Sequence, residues 1–568
     1  MSKVKKLFAV ILTFVMIMGM TVSAFAANGT PQATDTAEVK ITNLKGDPTV
    51  TLYQIAKVEY GANDQGFVKY VWTDGAEFDD FSHPTATEIN AIAQDIKDGT
   101  INSFFNEPKP EKVTGTEYAK TVSAGAYIAI ITGASDDTVY NPILLTAAYG
   151  KDDSNLTGGS IAADSNYLYG TTAVAKSTTP KIDKDIIGGT TPDGSDSDKD
   201  TASVGDVITY KVTPTIPDYP TNAVNKTFFI SDTMSTGLDF LYNTLTIEIS
   251  GQTVTKEDNQ FKLGDKVIAT AVQTNSGKGF NLCFSYDNLI SDTATGAVYQ
   301  PIITYQAVIN DEAVVGNPGN PNDAELYYAN DPDSGNTWTD VEKKPDSAEG
   351  VAKKEDSETV YTYQLAFQKV DENEEPLAGA VFGIYKDSEC TKLVDKVTTN
   401  ENGYAVSTNV ASGTYYIKEI SAPAGYTLNT TVYDIEATWT TATTTVTGTV
   451  TDRTYTTEQP SENAVQVGWI KDSIFYALDE FTAEQAEDGG YQKAYLDTEN
   501  TTTTSATTVT VNGAGSGTAM LDEEIPNTKL SELPSTGGIG TTIFTIGGCA
   551  IMILAAGLFF ASRRKESK

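Results

Sequence analysis

The sequence predicts an all-β protein built as a string of β-sandwiches. Thr, Val, Tyr, Ile and Gly are abundant along the chain, and short runs alternate between apolar and polar residues. Gly, Pro, Asn or Asp bound those runs, as expected of strands joined by turns. Helical patterns are few. Without its two ends the chain keeps about 510 residues, enough for three or four domains.

The individual elements follow from these patterns in chain order. Helical spacing of apolar residues predicts a helix over 86–98 and a second, short one over 482–487. Alternation predicts strands that include residues 39–42, 49–53, 126–130, 207–210 and 415–417.

Breaks in composition divide the chain. Residues 176–180 form a polar connector that ends in Pro180, and residues 340–356 are charged and are interpreted as a loop or linker. Residues 430–515 are rich in Thr and are interpreted as an enlargement of the third domain, with a fourth small domain as the alternative. The predicted segments are an N-terminal segment 1–26, three domains at 27–176, 177–358 and 359–530, and a C-terminal segment 533–568.

Charge and cysteine content limit the classes of function. The chain has 76 acidic and 39 basic residues, a net charge of −37, which argues against nucleic acid or anionic lipid as a partner. Cys283 and Cys390 lie about a hundred residues apart, in different predicted domains, so no disulfide is expected between them. A long chain without disulfides needs another source of mechanical strength.

No cofactor or metal site is predicted. His83 has no Cys or His companions, so neither a zinc site nor a Ser-His-Asp triad is supported. Clustered carboxylates can bind calcium. The spacing of four aspartates fits no ordered calcium loop, and a mobile acidic turn is preferred; they are Asp193, Asp196, Asp198 and Asp200.

The N-terminus is typical of a secretory signal. Basic residues at Lys3, Lys5 and Lys6 precede an apolar run over 7–20, and small residues follow at Ala24 and Ala26. The mature chain is therefore predicted to begin at Ala27. The alternative is a membrane anchor, but the run is short for a span of about 20 residues.

Three features follow one another at the C-terminus. A pentapeptide precedes an uncharged apolar segment over 539–561, and basic residues at 563–565 close the chain. Together they resemble a sortase sorting signal, whose motif residues here are Leu533, Pro534, Ser535, Thr536 and Gly537. The resemblance implies that a membrane transpeptidase cuts between Thr536 and Gly537 and holds Thr536 as a thioester until an amine attacks. That amine could belong to a cell-wall peptide or to a lysine of another protein.

Four segments of the third region share a pattern with a known family: residues 363–371, 376–382, 415–426 and 525–529. In that order they resemble the two opening strands, the E-box and the closing strand of a Cna-B-type domain of Gram-positive pilins. The resemblance implies an isopeptide bond with Lys369 as nucleophile, Asn527 as acceptor and Glu419 as the promoting acid. Burial would favour a neutral amine and a protonated carboxyl, the forms that this reaction requires.

The second region resembles the isopeptide-forming domain of fimbrial subunits at residues 180–186, 203–212, 229–234 and 326–332. By this resemblance the lysine is Lys184, the acid Asp232 and the acceptor Asn330. Lys181 is an alternative for the lysine, and Asp331 or Asn336 could replace Asn330 at the other end.

The first region resembles pilin N-terminal domains at residues 40–44, 50–55 and 141–145. Lys40 and Asn166 could form a cross-link there, but a solvated strand lysine is preferred for Lys40. Pilin subunits usually carry the polymerising lysine at the junction of their first two domains, in a segment that ends Tyr-Pro-Lys. Here residues 171–176 end at Lys176 without Tyr-Pro. Lys176 is preferred as the intersubunit lysine, and Lys181, which follows Pro180, is the alternative.

These resemblances imply a structural subunit of a covalently polymerised surface pilus, with tandem immunoglobulin-like β-sandwich domains in an elongated array. The implied partners are a pilus-specific class C-type sortase, identical subunits joined head to tail, minor pilins, peptidoglycan through a housekeeping sortase, and host extracellular matrix or glycans. Enzymatic activity is limited to single-turnover isopeptide formation within the chain. The alternative is a monomeric wall-anchored adhesin or a minor pilin at the tip or base.

Overall fold

A computed structural model gives the fold over residues 30–76, 78, 84–104, 108–149, 168–187, 199–219, 223–250, 252–290, 300–332, 334–438, 444–451, 454–462, 464–478, 480–497, 503–511 and 517–530. The predicted signal segment, His83, Asn166, three of the four aspartates and the whole sorting segment lie outside these residues. Asp200 is described by its backbone alone. Within the described ranges no helix is both long enough and apolar enough to cross a membrane, and the span predicted over 539–561 falls outside them.

The described residues of the first part of the chain form a β-sandwich with one α-helix. The helix, α1, spans Ala86–Lys97 as predicted and begins with a capping box in which Thr85 and Glu88 satisfy each other's backbone N–H groups. The strands are β1 Thr36–Thr42, β2 Thr49–Tyr60, β3 Phe67–Trp72, β4 Glu111–Lys112, β5 Glu117–Ser123, β6 Gly125–Thr132, β7 Val139–Tyr140, β8 Ile143–Tyr149, β9 Leu168–Gly170, β10 Thr172–Val174 and β11 Ser177–Thr178.

Two sheets enclose the core of this sandwich. One has the order β10-β1-β5, the other runs β3-β2-β6-β8-β9, with β4 beside β2. Both lie against a single apolar core to which α1 contributes Ile89, Ile92, Ala93 and Ile96. The predicted strands over 39–42, 49–53 and 126–130 all lie within these sheets.

A second sandwich follows in the chain. Its strands are β12 Ile182–Ile186, β13 Lys199–Thr201, β14 Val207–Pro214, β15 Phe228–Met234, β16 Leu238–Ile249, β17 Gln252–Thr253, β18 Thr255–Glu257, β19 Gln260–Leu263, β20 Lys266–Thr274, β21 Gly279–Phe284, β22 Pro301–Ile309, β23 Asn320–Ala329 and β24 Val351–Tyr361; a short helix, α2, spans Tyr286–Leu289. One sheet has the order β12-β14-β22-β16-β17, and the other β13-β24-β23-β15-β21-β20-β19-β18. The aromatic and aliphatic side chains of the two inner faces form one core.

Strand β24 corrects one prediction. Residues 340–356 are predicted to form a loop or linker, but residues 351–356 belong to β24, which pairs with β23 over residues 351–360. The sequence does not predict this strand, because its outward positions carry charges such as Lys353 and Glu355. Its buried positions include small Ala352 and polar Glu358. The apolar alternation that marks a half-buried strand is therefore weak in this sequence.

The third part of the chain is again mostly strands. These are β25 Gln364–Asp371, β26 Val381–Tyr385, β27 Leu393–Thr398, β28 Tyr404–Val406, β29 Gly413–Ser421, β30 Val432–Ala437, β31 Thr444–Thr451, β32 Tyr455–Thr456, β33 Gly468–Lys471, β34 Ile474–Ala477, β35 Gln492–Leu496, β36 Thr503–Val511, β37 Thr518–Met520 and β38 Ile525–Asn527, and helix α3 spans Ala483–Asp488. Helix α3 confirms the short helix predicted at 482–487, displaced by one residue.

The sandwich at the centre of this third part is compact. One sheet has the order β28-β25-β37, with β38 also beside β25, and the other runs β27-β26-β29-β30. Both β37 and β38 pair with β25 in parallel, so the closing strands of the domain lie beside its opening strand. Within residues 430–515, β31 pairs with β36, and β35 lies between β32 and β33.

Contacts divide the chain into two units. One comprises residues up to Thr362 together with Ile474–Gln485, and the other comprises the remaining residues from Tyr363 onward. The predicted division at 176/177 therefore falls inside the first unit. Part of the predicted enlargement of the third domain also belongs to that unit, since the N–H of Ala477 donates to the carbonyl of Gly205 at 2.9 Å. Nearby, the N–H of Val207 donates to Glu480 at 3.1 Å.

Candidate isopeptide sites

Lys369 is fully buried at the end of strand β25. Its Nζ donates to the backbone carbonyls of Val370 and Ile525, each at 2.9 Å. Alternation along β25 places Lys369 and Asp371 on one face, and parallel pairing with β38 sets Asp371 opposite Asn527. The amine of Lys369 and the amide of Asn527 therefore share one face of adjacent strands.

Glu419 lies against the same amide from strand β29. Its Oε1 accepts a hydrogen bond from Nδ2 of Asn527 at 2.8 Å, and its Oε2 accepts the backbone N–H of Asn429 at 2.6 Å. Glu419 and Asn527 are 2 % and 3 % exposed, so water has almost no access to either. Oδ1 of Asn527 is buried without a hydrogen-bond partner among the described residues. The structure thus brings together all three residues predicted for this domain.

Burial also changes the state of the amine. Loss of water lowers the pKa of Lys369 from 10.5 to about 8, while the negative charges of Glu419 and Asp371 oppose that change. A substantial fraction of Lys369 can therefore be neutral near physiological pH, and a neutral amine is the nucleophilic form.

The second site is built around Lys184 on strand β12. Its Nζ lies 2.6 Å from Oδ2 of Asp232 on β15, and neither side chain has any exposed surface. The same Oδ2 accepts the hydroxyl of Tyr305 at 2.5 Å, while Oδ1 of Asp232 is buried without a hydrogen-bond partner among the described residues. Aromatic rings flank the amine, since Nζ lies 5.2 Å from the ring centre of Tyr210 and 5.6 Å from that of Tyr305.

The two charged forms of this pair are both disfavoured by burial. Desolvation lowers the pKa of Lys184, with Asp232 opposing the change, and raises the pKa of Asp232, with Lys184 opposing it. Transfer of one proton from Lys184 to Asp232 would give a neutral amine beside a carboxylic acid. The Lys184 and Asp232 predictions therefore fall on two residues that the structure places in direct contact.

Asn330 does not join this cluster. Asp232 faces Ala324 in the register of β15 and β23, and Asn330 lies six residues further along the chain, about 20 Å away at 3.3 Å per residue. Asn330 is half-buried, and its Nδ2 lies 3.4 Å from Asp137 in the first sandwich. The strand register therefore places Asn330 away from Lys184 and Asp232, so the structure does not bring the three predicted residues together.

A different asparagine, which the sequence resemblance does not indicate, lies beside this cluster: Asn322. It lies two residues from Ala324 on β23, hence on the same face, and it is fully buried. Its Nδ2 donates to the hydroxyl of Tyr305 at 3.2 Å, and its Oδ1 has no hydrogen-bond partner among the described residues. Counting back in steps of two from Leu326, which is buried, would have placed Asn322 inward, a signal available in the sequence.

The alternatives for this site lie elsewhere. Lys181 is exposed, and Asp331 forms an ion pair with Lys97 at 3.7 Å. Asp137, which contacts Asn330, also pairs with Lys354 at 3.0 Å. This second Lys–Asp–Asn group is partly exposed, since the side chains of Lys354 and Asp137 retain 31 % and 33 % of their surface. Water therefore reaches this group, unlike the fully buried pair of Lys184 and Asp232.

Both candidates for the intersubunit lysine face solvent. Lys176 lies between β10 and β11 with 53 % of its side chain exposed, and its Nζ is 2.7 Å from Oδ2 of Asp218. Lys181 precedes β12 and is exposed as well, so exposure alone does not choose between them. In the first sandwich Lys40 is half-exposed and paired with Glu38 at 2.9 Å, the arrangement of a solvated strand lysine.

Family models match four stretches of the chain. A T6 antigen Ig-like domain matches residues 34–177, and a Gram-positive pilin backbone subunit 2, Cna-B-like domain matches 204–332. A prealbumin-like fold domain matches 363–452, and an LPXTG cell wall anchor motif matches 525–568. The buried lysines of both sites fall in or beside the pilin-type domains.

One protein sequence and one solved structure, both of T6 proteins from Streptococcus pyogenes serotype M6, match most of the chain. The trypsin-resistant surface T6 protein is 44 % identical over 553 residues, which span 96 % of this chain and 98 % of the relative. The solved structure of the T6 backbone pilin, described as a modular three-domain structure with variable loops and extensions, is 42 % identical. It superimposes with a TM-score of 0.72 over 88 % of this chain and 100 % of that one.

Proposed function

The chain belongs to the family of Gram-positive backbone pilins, and on that premise we propose that it polymerises through Thr536 and Lys176 and is stabilised by two internal isopeptide bonds. The chain is a structural subunit of a sortase-assembled surface pilus anchored at the cell wall, rather than an enzyme acting on other substrates. Its partners are a sortase and other pilus subunits. The bonds concerned are the one between Thr536 and Lys176 of the next subunit and the two internal isopeptide bonds.

Polymerisation requires an electrophile and a nucleophile. The sortase would hold Thr536 as a thioester after cleavage before Gly537, and the amine of the next subunit would displace the enzyme's cysteine. Lys176 is the proposed amine, because it lies at the end of the first matched domain with 53 % of its side chain exposed, although its Nζ pairs with Asp218. Lys181 remains the alternative nucleophile.

The bond within the third domain would join Lys369 to Asn527. The neutral Nζ of Lys369 attacks the amide carbon of Asn527, the amide nitrogen leaves as ammonia, and Glu419 transfers the proton from one nitrogen to the other. Support comes from the 2.8 Å contact between Glu419 and Asn527 and from the lowered pKa of Lys369. No net proton is gained or lost in this exchange.

The bond within the second sandwich would join Lys184 to Asn322 instead of Asn330. The observation that carries the proposal is the burial of Lys184, Asp232 and Asn322 in one core, with Lys184 and Asp232 in contact. Both bonds would tie the first strand of a sandwich to a later strand. Extension of the fibre would then load covalent bonds as well as hydrogen bonds.

We also propose specific partners for each stage of assembly. A pilus-specific class C-type sortase would polymerise the subunits, and a housekeeping sortase would join the last one to peptidoglycan. Minor pilins and host extracellular matrix or glycans would complete the set. The membrane step before cleavage depends on the predicted span over 539–561.

Two measurements test the proposal. Cells that express the chain with its sortase should yield a ladder of multimers that survives boiling in detergent. The alternative, a monomeric wall-anchored adhesin, would give only one subunit with wall fragments of varied size. Separately, the secreted chain ending at residue 530 should weigh less than its sequence by two molecules of ammonia. A mass equal to the sequence mass would exclude both internal bonds.

A further inference from the structure

Tyr305 lies between the acid and the amide of the second site. Its hydroxyl contacts Oδ2 of Asp232 at 2.5 Å and Nδ2 of Asn322 at 3.2 Å. Tyr305 is fully buried on strand β22, in the sheet that faces β15 and β23. Among the described hydrogen bonds, that hydroxyl is the link between the carboxyl group and the amide nitrogen of the acceptor.

In the third domain the acid contacts the acceptor amide without a bridging hydroxyl group. There the carboxyl of Glu419 reaches the amide of Asn527 directly, at 2.8 Å. Asp232 has one methylene group fewer than a glutamate, and its Oδ2 contacts the amine of Lys184 and the hydroxyl of Tyr305. The phenol therefore spans the distance that the longer side chain covers in the other site.

We propose that Tyr305 is a catalytic residue of the second site, whose hydroxyl relays the proton from Asp232 to the amide nitrogen of Asn322 as that nitrogen leaves. This inference rests on the proposed Lys184–Asn322 bond and adds the route by which its leaving group is protonated.

The exchange balances without any further reactant. The reaction begins with neutral Lys184 and protonated Asp232, and the Nζ–C bond forms as Lys184 attacks the amide carbon of Asn322. Asp232 gives its proton to the oxygen of Tyr305, while Tyr305 gives its own hydroxyl proton to Nδ2. The C–N bond to Nδ2 breaks and ammonia leaves. Asp232 then takes the proton that Nζ loses, so both Asp232 and Tyr305 return to their starting protonation states.

The ring of Tyr305 is held by packing that does not involve the hydroxyl. It stacks on Tyr210 with centroids 5.5 Å apart and meets Phe280 edge-on at 5.1 Å and Phe240 at 5.7 Å. A phenylalanine at this position can keep these contacts. The Tyr305→Phe substitution therefore isolates the hydroxyl from the ring.

The test follows bond formation in the full chain, secreted by a Gram-positive host that lacks sortases. After a pulse of labelled amino acids, peptide mapping gives the fraction of chain with Lys184 joined to Asn322 at each time. Tyr305→Phe should slow this bond roughly 100-fold, the scale of one acid–base contribution. The bond between Lys369 and Asn527 should form at the wild-type rate in the same molecules.

A matched control removes another buried hydroxyl. Tyr328 belongs to the same core, and its hydroxyl donates to the backbone oxygen of Asp137, away from the site. Tyr328→Phe should join Lys184 to Asn322 at the wild-type rate. Equal slowing in both variants would overturn the relay, because it would indicate a general effect of losing a buried hydroxyl.

A variant that cannot form the bond separates the effect of Tyr305 on the reaction from its effect on stability. In Asn322→Ala no bond can form, while the contacts of Lys184 and Tyr305 with Asp232 remain available. Adding Tyr305→Phe there should lower the midpoint of thermal unfolding by no more than about 4 °C. A much larger drop would make the role of Tyr305 structural and overturn the relay.

Two further outcomes distinguish failure of the proposed Lys184–Asn322 bond from failure of the proposed Tyr305 relay. If the wild-type chain never joins Lys184 to Asn322, the proposed bond itself is wrong. If the wild-type chain forms the bond and Tyr305→Phe forms it equally fast, the bond stands and only the relay is wrong.

Discussion

Lys369 and Asn527 lie on one buried face of two adjacent parallel strands, although 157 intervening residues separate them in the chain. Asn527 stands opposite Asp371, two positions beyond Lys369, and neither Lys369 nor Asn527 has more than 3 % of its surface exposed. This pairing closes the domain by placing its last described strand beside its first. A covalent bond at this point would therefore lock the ends of the sandwich together.

Removal of the acceptor should remove one bond. In Asn527→Ala, the mass deficit of the secreted chain should fall from two molecules of ammonia to one. The lost cross-link closes a loop of roughly 160 residues, so the free energy of unfolding of this domain should drop by about 5 kcal/mol on the chain-entropy account. Mass spectrometry and urea unfolding measure the two effects. Asn402→Ala, on an exposed turn, should change neither, and a full deficit in Asn527→Ala would contradict the assignment.

The identity of the second acceptor can be tested with a pair of variants. Asn322→Ala should lose one molecule of ammonia from the deficit, because Asn322 faces the Lys184–Asp232 pair. Asn330→Ala should keep the full deficit, because Asn330 lies at the end of β23 beside Asp137. Intact mass with peptide mapping distinguishes them. The reverse pattern would restore the acceptor predicted from the sequence resemblance.

Burial should decide which Lys–Asp–Asn group reacts. Lys354, Asp137 and Asn330 contact one another in series, but the lysine side chain is 31 % exposed, so water reaches this group. We expect Lys354 to keep a free amine, which acetylation of the folded chain followed by peptide mapping would reveal. Lys184 should resist the same reagent. A peptide that joins Lys354 to Asn330 would refute the burial argument.

The polymerisation lysine should be visible on a denaturing gel. Lys176→Ala should abolish the multimer ladder in cells that contain the sortase, because the thioester at Thr536 would lose its amine acceptor. Lys181→Ala should leave the ladder intact. Both internal bonds should persist in either variant, which shows that secretion and folding are unaffected. A ladder lost only with Lys181→Ala would transfer the role to that residue.

The free form of Lys369 should make stability depend on pH. In Asn527→Ala the amine stays free, and burial sets its folded-state pKa to about 8 against 10.5 in the unfolded chain. Between these values the unfolded chain binds more protons, so stability should rise with pH by at most about 3 kcal/mol. Urea unfolding from pH 7 to 10 measures the slope. Asn527→Ala combined with Lys369→Met should lack this increment, and equal slopes would contradict it.

Local patterns in the sequence carried much of the fold. The helix at Ala86–Lys97 was predictable because its apolar residues repeat with helical spacing behind a capping residue, Thr85. Strands such as Val207–Pro214 were predictable because buried Ile208, Tyr210 and Val212 alternate with less buried neighbours. Strand β24 was missed because charges occupy its outward positions.

The candidate sites were also predictable from the sequence only in part. Lys369, Glu419 and Asn527 were identified because each lies within a local sequence pattern that resembles a known family, and the structure brings all three together. Asn330 was selected in the same way, yet the acid at Asp232 faces Ala324 and has Asn322 near it. Which asparagine lies near Asp232 depends on how β15 pairs with β23, strands about ninety residues apart in the chain.

The sequence by itself determined the class of the protein: its sorting signal, its β-rich domains and the residue types able to form a cross-link. Only the tertiary structure showed that Asn322, rather than Asn330, lies near Asp232 and that Tyr305 lies between acid and amide. The reason is physical. A strand's pattern fixes which side chains point inward, but the register between distant strands fixes which of them meet, and burial by the whole core sets their protonation.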